Sequence, residues 1–502
     1  MLMARALNAE PLFPTEDIQG DILAGLPKRR ERLLFFRVED PAAFTAFLKD
    51  LQLTSLQECL AQRDLIKQRK AAGVPTLVPT PGLNVAFTHT GLQKLGVDGP
   101  AGTQGLQAFR DGMASRTATL SDPPPYTWRI LRPNRRPDGV FILTGASEAE
   151  IADTISLRLA PVPANGWRIL HEEAGRVRPQ PVKGHEHFGY ADGVSQPGVR
   201  GRVEPGKALN PTTSTDQDQA EPGQDLLWPG EFVFGYPGQQ PDAPDFTVKG
   251  PVTQPPVPFM ANGAFLVFRR LAQLVPEFNH QVQLSAGQTG GGSDPASPEL
   301  LGAQMVGRWK SGAPIINAPT ADDPLLAEGT PEVNAFEFDG DREGLVCPWA
   351  AHVRKVYPRN DVRHNTTPTQ AETDAAEAFT QTHRMLRRGI AFGPELTEEE
   401  AKGGHSDPAN SRGLLFKCYV TSLEDQFEFV QQRWVNSTDF SQPGAGFDAI
   451  IGQPAGVPAP FLGAAPTSKD PAKQPPLTFS RFVEMQGGEY FFAPSIPALR
   501  GL

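Results

Sequence analysis

The segment LLFFRV, residues 33–38, is short and apolar, and Glu39, Asp40 and Pro41 follow it directly. A compact apolar run with aromatic and branched side chains is typical of a buried strand, and an acidic residue before a proline is typical of a helix start. We therefore predict a strand at 33–38 and a helix at 41–60. This first strand–helix unit favours a fold in which helices cover a sheet.

The same alternation of strand and helix continues along the chain. Three more strands are predicted in the first half, at 83–88 (LNVAFT), 139–144 (GVFILT) and 167–170 (WRIL). Ser147 and Glu150 have the spacing of a capping box, which predicts a helix that ends near residue 159. Because the turns are too irregular for a parallel barrel, we predict an α+β fold with an antiparallel sheet.

The second half repeats this order of elements. Strands are predicted at 263–268, 413–419 and 489–492, and helices at 271–282 and 423–434. The matching order indicates an internal duplication, although the residues show no repeat period. Stretches rich in proline, glycine and glutamine predict loops, and a polar, acidic stretch predicts an exposed insertion; the loops are 203–229, 235–258 and 452–476, and the insertion is 370–379.

Composition narrows the class of protein. A chain of 502 residues is long enough for two large domains and a cofactor cavity. The net charge of −10 argues against nucleic acid or an anionic membrane as a partner, since both require a basic face. With no apolar run of signal-peptide or membrane-span length, we predict a cytoplasmic protein. Three widely spaced cysteines are expected to be buried thiols: Cys59, Cys347 and Cys418.

The segment GHEHFGYADGVSQPG, residues 184–198, contains a Gly-x-x-Asp-Gly box at 189–193. Its two glycines can adopt backbone conformations that are closed to other residues, so the carboxylate of Asp192 can be directed toward a ligand or a cavity. For the box alone, a turn in which Asp192 caps the next segment is the simpler interpretation. His185 and His187 alternate as on a strand and are interpreted as structural or positioning residues.

His352 lies in CPWAAHVRK, residues 347–355, where small residues precede it and two cations follow. Small neighbours leave room for a flat cofactor beside the imidazole, and the cations could meet acidic groups on its rim. Five other histidines lack such a setting: His89, His280, His364, His383 and His405. No histidine pair has zinc-site spacing with a third ligand nearby, so a zinc site is not expected.

Two later segments could line a pocket. In HRMLRRGIAFG, residues 383–393, Arg387 and Arg388 are consecutive, so on an extended segment one guanidinium points inward and the other outward. An inward arginine requires an anion, whereas a surface strand with two solvated arginines is the simpler alternative. In GLLF, residues 413–416, Leu414 and Phe416 share one face, either as pocket lining or as ordinary core.

Considered together and in order, these segments resemble those of the dye-decolorizing peroxidases, in particular the larger bacterial and fungal-type branch. The matching segments are FGYADGVSQP (188–197), CPWAAHVRK followed by Pro358 and Arg359, LRRG (386–389) with GPE (393–395), and RGLLF (412–416). DIQGDIL (17–23) and GGEYFFAPS (487–495) match as well, so the resemblance covers nearly the whole chain. Each motif is unspecific by itself, but the ordered set is specific.

The resemblance implies two ferredoxin-like α+β domains, 1–180 and 181–502, each an antiparallel sheet flanked by helices. It also implies one haem b, held mainly by the second domain, which includes the Gly-x-x-Asp-Gly box. His352 is then the axial ligand of the haem iron, and Asp448 occupies the place of a carboxylate that accepts its hydrogen bond. Such a carboxylate pushes electron density through the imidazole toward the iron. Arg354 is a candidate partner for a haem propionate.

On the opposite, distal side, the resemblance implies Asp192 and Arg387, with Leu414 and Phe416 as an apolar wall. The implied activity is that of a haem peroxidase, which reduces hydrogen peroxide and oxidises dyes, phenols and other aromatic donors by one-electron steps. Asp192 can move a proton between the two peroxide oxygens, and Arg387 can stabilise the charge that develops. Because carboxyl groups ionise near pH 4 and imidazoles near about pH 6.5, we expect an acidic pH optimum.

Bulky dyes do not fit a pocket walled by leucine and phenylalanine, so oxidation at the protein surface through a radical relay is a second hypothesis. Trp434 and Tyr419 are the oxidisable side chains nearest in sequence to that wall, although Trp434 can equally pack its own helix. The rival interpretation is a haem-binding or haem-processing protein without turnover. Such a protein would need His352 but could dispense with Asp192 and Arg387.

Overall fold

The computed structural model describes residues 10–74, 77–97, 105–160, 163–209, 223–286, 297–327, 329–361, 368–452, 459–461 and 477–502. Its centre is a sheet of nine strands against which helices pack. The strands are β1 (Arg30–Val38), β2 (Gly82–Phe87), β3 (Gly139–Gly145), β4 (Trp167–Arg176), β5 (Ala264–Gln273), β6 (Leu386–Arg387), β7 (Ile390–Phe392), β8 (Gly413–Val420) and β9 (Val483–Ala493).

The α-helices of the described residues vary from a single turn to four turns. They are α1 (Gly20–Leu23), α2 (Pro41–Asp50), α3 (Leu56–Ala71), α4 (His89–Lys94), α5 (Gln107–Asp111), α6 (Thr117–Leu120), α7 (Glu148–Thr154), α8 (Val275–Ala286), α9 (Pro298–Val306), α10 (His352–Val356), α11 (Gln370–Gln381), α12 (Glu398–Gly403) and α13 (Ile496–Arg500). Three π-helical segments add to them, at Ile155–Leu159, Leu423–Glu428 and Val430–Val435. The α+β class predicted from the sequence is confirmed.

The first half of the chain forms a four-stranded antiparallel sheet with the order β2-β3-β1-β4. Helices follow the first and third strands, which is the ferredoxin-like arrangement. β2 and β3 are buried along their whole length, as their apolar sequences require. All four strands predicted in this half are confirmed, and β4 is longer than the predicted 167–170.

The single helix predicted at 41–60 is wrong, because this segment contains the separate helices α2 and α3. Asp40 caps α2 by accepting hydrogen bonds from the second and third backbone N–H groups after it. Leu51 is extended and ends α2, and Ser55 with Glu58 forms a capping box that starts α3. Ser55 and Glu58 have the same spacing as Ser147 and Glu150. The Ser147 side chain accepts a hydrogen bond from the backbone N–H of Glu150 and so caps its helix, as predicted.

The second half repeats the topology of the first. Its strands have the order β6-β8-β5-β9, with β7 also paired to β8. Numbered within each half in chain order, the strands lie in the order second, third, first, fourth in both halves. The duplication inferred from element order is therefore confirmed at the level of strand topology. The helix predicted at 271–282 begins only at Val275, because β5 continues to Gln273. The helix predicted at 423–434 is present as two π-helical segments.

Two of the predicted irregular segments differ in the structure. Residues 370–379 are largely exposed, as predicted, but they belong to α11, which Thr369 and Glu372 start with a capping box and which buries Ala378. The loop 235–258 contains a short antiparallel ribbon, Pro237–Gln239 with Lys249–Val252. Part of the loop 203–229 and most of the stretch 452–476 lie outside the described residues.

The two sheets join and close into a barrel. At one junction β2 pairs with β9 through Phe87 and Phe492. At the other, a Cβ added to Gly175 of β4 would lie 2.3 Å from the Ile390 side chain of β7, so these edges touch. Side chains from both halves fill the interior, where the rings of Phe35 and Phe268 lie 5.0 Å apart.

Charged side chains are buried beside this apolar cluster. Lys417 Nζ lies 3.3 Å from Asp21 Oδ2 and 3.0 Å from Glu31 Oε2, and Lys28 Nζ lies 2.6 Å from the same Glu31 oxygen. Burial opposes the ionisation of Asp21, but Lys417, Lys28 and Arg388 outweigh it and lower the pKa of Asp21 to about 2. Because the carboxylates belong to the first half and Lys417 to the second, the cluster holds the halves together.

All three cysteines are free and buried, as predicted. No helix in the described ranges is long and apolar enough to cross a membrane. The cytoplasmic location and the division of the chain between residues 180 and 181 remain predictions.

Replacing Asp21 by asparagine should lower the free energy of unfolding at neutral pH by about 2–4 kcal/mol, because Lys417 loses one of its two buried carboxylates. Since folding lowers the pKa of Asp21, its stabilising effect is fully present above 3.8 and is lost as the pH falls through about 2. The free energies of unfolding of wild type and Asp21→Asn, measured with urea, should therefore become equal in acid. Asp17→Asn is the control in the same motif, and a difference that persists in acid would contradict the prediction.

Candidate active site

A cavity of about 310 Å³ lies against the second half of the sheet, within the roughly 300–1,000 Å³ common for small-molecule sites. Leu271 of β5 and Leu414 and Phe416 of β8 line it from the sheet, and α10 and the π-helical segments contribute valines: Val353, Val356, Val430 and Val435. Successive residues of a strand point to opposite faces. Leu414 and Phe416 therefore face the cavity, whereas Leu415 packs in the barrel interior.

His352 is the first residue of α10 and lies on the cavity wall. Its Nδ1 is 2.8 Å from Oδ2 of Asp448, a buried carboxylate. The other oxygen of Asp448 accepts the backbone N–H groups of Ile450 and Ile451, at 2.8 and 2.9 Å. The carboxylate is thus held in place and accepts a hydrogen bond from the N–H at Nδ1 of His352. Nε2 of His352 then keeps its lone pair available for a metal ion.

The Gly-x-x-Asp-Gly box is a turn that also directs a carboxylate into the cavity. Gly189 and Gly193 have φ values of 97° and 77°, in the left-handed region that favours glycine. Asp192 Oδ1 accepts the backbone N–H of Gly193 at 2.7 Å, and the backbone N–H of Asp192 donates to the Gly184 carbonyl at 2.9 Å. The exposed side chain of Asp192 lies on the cavity wall. The two interpretations of the box are therefore compatible.

Glu186, which the sequence did not single out, lines the same cavity. Its carboxylate accepts the backbone N–H groups of Phe188 and Tyr190, at 2.7 and 2.8 Å, and a hydrogen bond from Gln273 Nε2. Burial raises the pKa of Glu186, although these hydrogen bonds oppose the shift. Glu186 therefore holds the turn that carries Asp192. An acidic residue just before a glycine-rich turn was the available signal.

Arg387 reaches the cavity from β6, which pairs with β8. Gln196 holds its main chain: the Arg387 N–H donates to Gln196 Oε1 at 3.1 Å, and Gln196 Nε2 donates to the Arg387 carbonyl at 2.9 Å. These bonds connect the segment of the box to β6. Burial lowers the pKa of Arg387, and Asp192 opposes that shift. Arg388 extends to the other side of the strand, where it binds backbone carbonyls instead of solvent.

Arg308 also lines the cavity and is 4% exposed. It donates only to neutral groups: the carbonyls of Gly312 and Val333, Ser195 Oγ and Asn334 Oδ1. Burial, together with the charges of Arg359 and Arg387, lowers the pKa of Arg308 to about 9. Among the described residues no carboxylate forms an ion pair with it, whereas Arg384 is paired with Asp225 at 3.0 Å. A buried cation without an acidic partner indicates a site for an anion.

His383 and Trp434 belong to an aromatic cluster beside the cavity. His383, which the sequence did not favour, lines the cavity and stacks on Phe429 with centroids 4.0 Å apart. Trp434 stacks on Phe440 and makes an edge-to-face contact with His383, with ring centroids 5.2 Å apart. Trp434 is 3% exposed. It therefore packs its neighbours and cannot itself contact a bulky substrate at the surface.

Arg354 lies away from the cavity wall and is 1% exposed. Its Nε is 2.8 Å from Asp361 Oδ2, and Nη1 donates to the carbonyls of Asp341 and Cys347. These bonds hold the loop before α10. Both ends of the Arg354 guanidinium are bound by the protein, and the expected contact with a haem propionate remains a prediction.

Tyr419 also lies outside the cavity. It is 1% exposed, and its hydroxyl donates to Asp21 Oδ2 at 3.0 Å in the barrel interior. Along β8 it alternates with Phe416, so it faces the opposite side of the sheet. Closeness in sequence to the cavity wall was thus a poor guide to its position.

A segment of the first half of the chain matches a family model. Residues 17–179 match the model described as the DyP dimeric alpha+beta barrel domain. Dye-decolorizing peroxidase msp1 of Mycetinis scorodonius is 35% identical to this chain over 96% of it and 86% of the relative. The multifunctional dye peroxidase DyP2 of an Amycolatopsis species is 32% identical over 99% of this chain and 98% of the relative.

Solved structures extend the similarity to three dimensions. An ancestral D-type dye-decolorizing peroxidase superposes with a TM-score of 0.80 at 35% identity, covering 97% of this chain and 99% of that structure. A fungal DyP-type peroxidase from Auricularia auricula-judae gives a TM-score of 0.76 at 31% identity, covering 97% and 98%. The chain belongs to the dye-decolorizing peroxidase family. The resemblance based on the ordered motifs is confirmed.

Proposed function

We propose that this chain is a haem-dependent peroxidase that reduces hydrogen peroxide and oxidises dyes. One observation carries the proposal: His352, Asp192 and Arg387 lie on the wall of one largely apolar cavity, and Asp448 binds the far nitrogen of the imidazole. The names of its relatives support the same activity. We extend the proposal to phenols and other aromatic molecules as one-electron donors.

The residues of the cavity fit haem b. Leu271, Leu414 and Phe416 offer apolar walls to a flat macrocycle, and His352 offers an imidazole nitrogen to its iron. Arg308, which lacks an acidic partner, suits a propionate. When bound, haem supplies an iron centre that receives peroxide oxygen and yields two electrons.

Asp192 moves the proton of hydrogen peroxide. The first oxygen must lose its proton to bind a metal well, and the second must gain it to depart as water, so one group serves as base and then as acid. Its carboxylate is exposed to the cavity on a turn fixed by Glu186. Arg387 stabilises the negative charge that develops on the departing oxygen, an effect that grows in a cavity with little water.

Asp448 and His352 act together. Because Asp448 is buried and held by two backbone N–H groups, it keeps its acceptor oxygen directed at Nδ1 of His352. A hydrogen bond to a carboxylate makes the imidazole a stronger electron donor to a metal at Nε2. The rival function, haem binding without turnover, is not favoured, because it does not require Asp192 and Arg387 beside the same cavity.

Asp192→Ala should retain the haem absorbance spectrum and lose about 100- to 10,000-fold in the rate of reaction with peroxide, because the proton carrier is removed. Stopped-flow spectroscopy measures this rate. Asp192→His should move the optimum from acid toward neutral pH, since imidazole is protonated below about pH 6.5. An Asp192→Ala protein with full activity would return the box to a purely structural role.

Arg308→Met should weaken binding of haem to the apoprotein by about 10- to 100-fold if Arg308 binds a propionate. Haem dimethyl ester, which lacks the charges, should bind wild type and Arg308→Met equally. Haem titration followed by absorbance measures both affinities, with Arg342→Met, at a half-buried loop residue outside the cavity, as a control. Equal weakening for the two forms of haem would exclude a propionate contact.

A relay of electrons through Trp434 predicts that Trp434→Phe slows the oxidation of a bulky dye much more than that of a small phenol. The reason is that only a substrate excluded from the cavity requires transfer through the aromatic cluster around His383. Steady-state rates on both substrates provide the comparison. Equal losses on the two substrates would show that Trp434 only packs the structure.

A further inference from the structure

Arg388 ends in the first half of the chain, although it belongs to a strand of the second. Its Nε donates to the carbonyl of Asp21 at 2.9 Å, and Nη2 donates to the carbonyls of Ile22 and Leu23 at 3.1 and 2.8 Å. These carbonyls belong to α1, where free carbonyl groups at the end of a helix favour a cation. One guanidinium thus binds three successive residues of the first half.

The contact is closely packed. Gly25, which follows α1, has a φ of 75°, and a Cβ added there would lie 2.8 Å from Arg388 Nε. The carbonyl of the same glycine accepts two hydrogen bonds from Arg63, at 3.1 and 3.0 Å. The turn after α1 therefore leaves a defined space that the guanidinium of Arg388 fills.

The main chain around Arg388 is also held. Its N–H donates to the Lys417 carbonyl at 2.7 Å, and its carbonyl accepts from Lys28 Nζ at 2.7 Å. Lys28 comes from the first half of the chain, just as the carbonyls of α1 do. Together with the two bonds from Gln196 to Arg387, these contacts fix the segment from both sides.

The anchoring of Arg388 determines the direction of Arg387. β6 contains only two residues, Leu386 and Arg387, which pair with Tyr419 and Cys418 of β8. Consecutive side chains on an extended segment point to opposite sides. With Arg388 bound in the barrel, the side chain of Arg387 is directed to the cavity, and rotation of the segment would require breaking the contacts with α1.

We infer that Arg388 is a positioning residue through which the first half of the chain holds Arg387 in the cavity. The inference rests on the proposed function, in which Arg387 acts on peroxide. It assigns to α1 and the turn at Gly25 a part in the reaction, although neither lines the cavity. Releasing Arg388 frees Arg387 to leave its position without removing any group from the cavity wall.

The haem-loaded variants Arg388→Met and Arg388→Lys should react with peroxide about 10- to 100-fold more slowly than wild type, with Lys the milder change and haem content unchanged. In an Arg387→Leu background, Arg388→Met should cost little more, because its effect passes through the missing side chain. A purely structural role would cost the same in both backgrounds. Arg63→Met, which disturbs the same turn but not Arg388, should stay within about twofold of wild type.

Hydrogen exchange provides a test that needs no turnover. The backbone amides of residues 386–389 should exchange faster in Arg388→Met than in wild type. Their exchange rates in Arg63→Met should equal those of wild type. Unchanged exchange and an unchanged peroxide rate in Arg388→Met would overturn the inference, as would full additivity with Arg387→Leu. A wild-type holoprotein that does not react with peroxide would overturn the proposed function instead, while the exchange result would still decide whether Arg388 holds the segment.

Discussion

Strand β8 must bury both of its faces, and the arrangement of the molecule follows from this constraint. Leu415, Lys417 and Tyr419 point into the barrel, where they meet the first half of the chain. Leu414 and Phe416 point the other way and form a wall of the cavity. A strand with one solvated face could join the halves or line a cofactor site, but could not serve both.

Buried charged groups have different partners on the barrel side and on the cavity side of the sheet. In the barrel, the ammonium group of Lys417 lies between the carboxylates of Asp21 and Glu31, so these three buried charges are paired. On the cavity side, Arg308 is equally buried but donates only to neutral groups. Desolvating a charge without a partner is costly. The paired charges therefore belong to the architecture, whereas the unpaired cation indicates where a ligand with acidic groups binds.

The local motifs carried much of the information about the cavity. Asp192, His352, Arg387, Leu414 and Phe416 were selected from short segments, and the structure brings all five to one cavity. Glycine pairs and strand alternation are local properties, so a linear reading can detect them. Glu186 and Gln196 were not detected, because they act by holding the main chain of other residues. For Glu186, its position just before a glycine-rich turn was the one local signal.

The sequence did not reveal which of the two arginines, Arg354 or Arg308, lies on the cavity wall. Two cations after His352 suggested a partner for acidic groups, yet Arg354 is bound by Asp361 and neighbouring carbonyls, and Arg308 lies on the cavity wall. The sequence by itself determined the alternation of strands and helices, the duplicated order and the motif residues, because these depend on neighbours along the chain. Only the tertiary structure decided that, among the described residues, Arg354 is paired with a carboxylate and Arg308 is not, and which face of β8 each residue occupies, since partners such as Asp21 and Lys417 are distant in sequence.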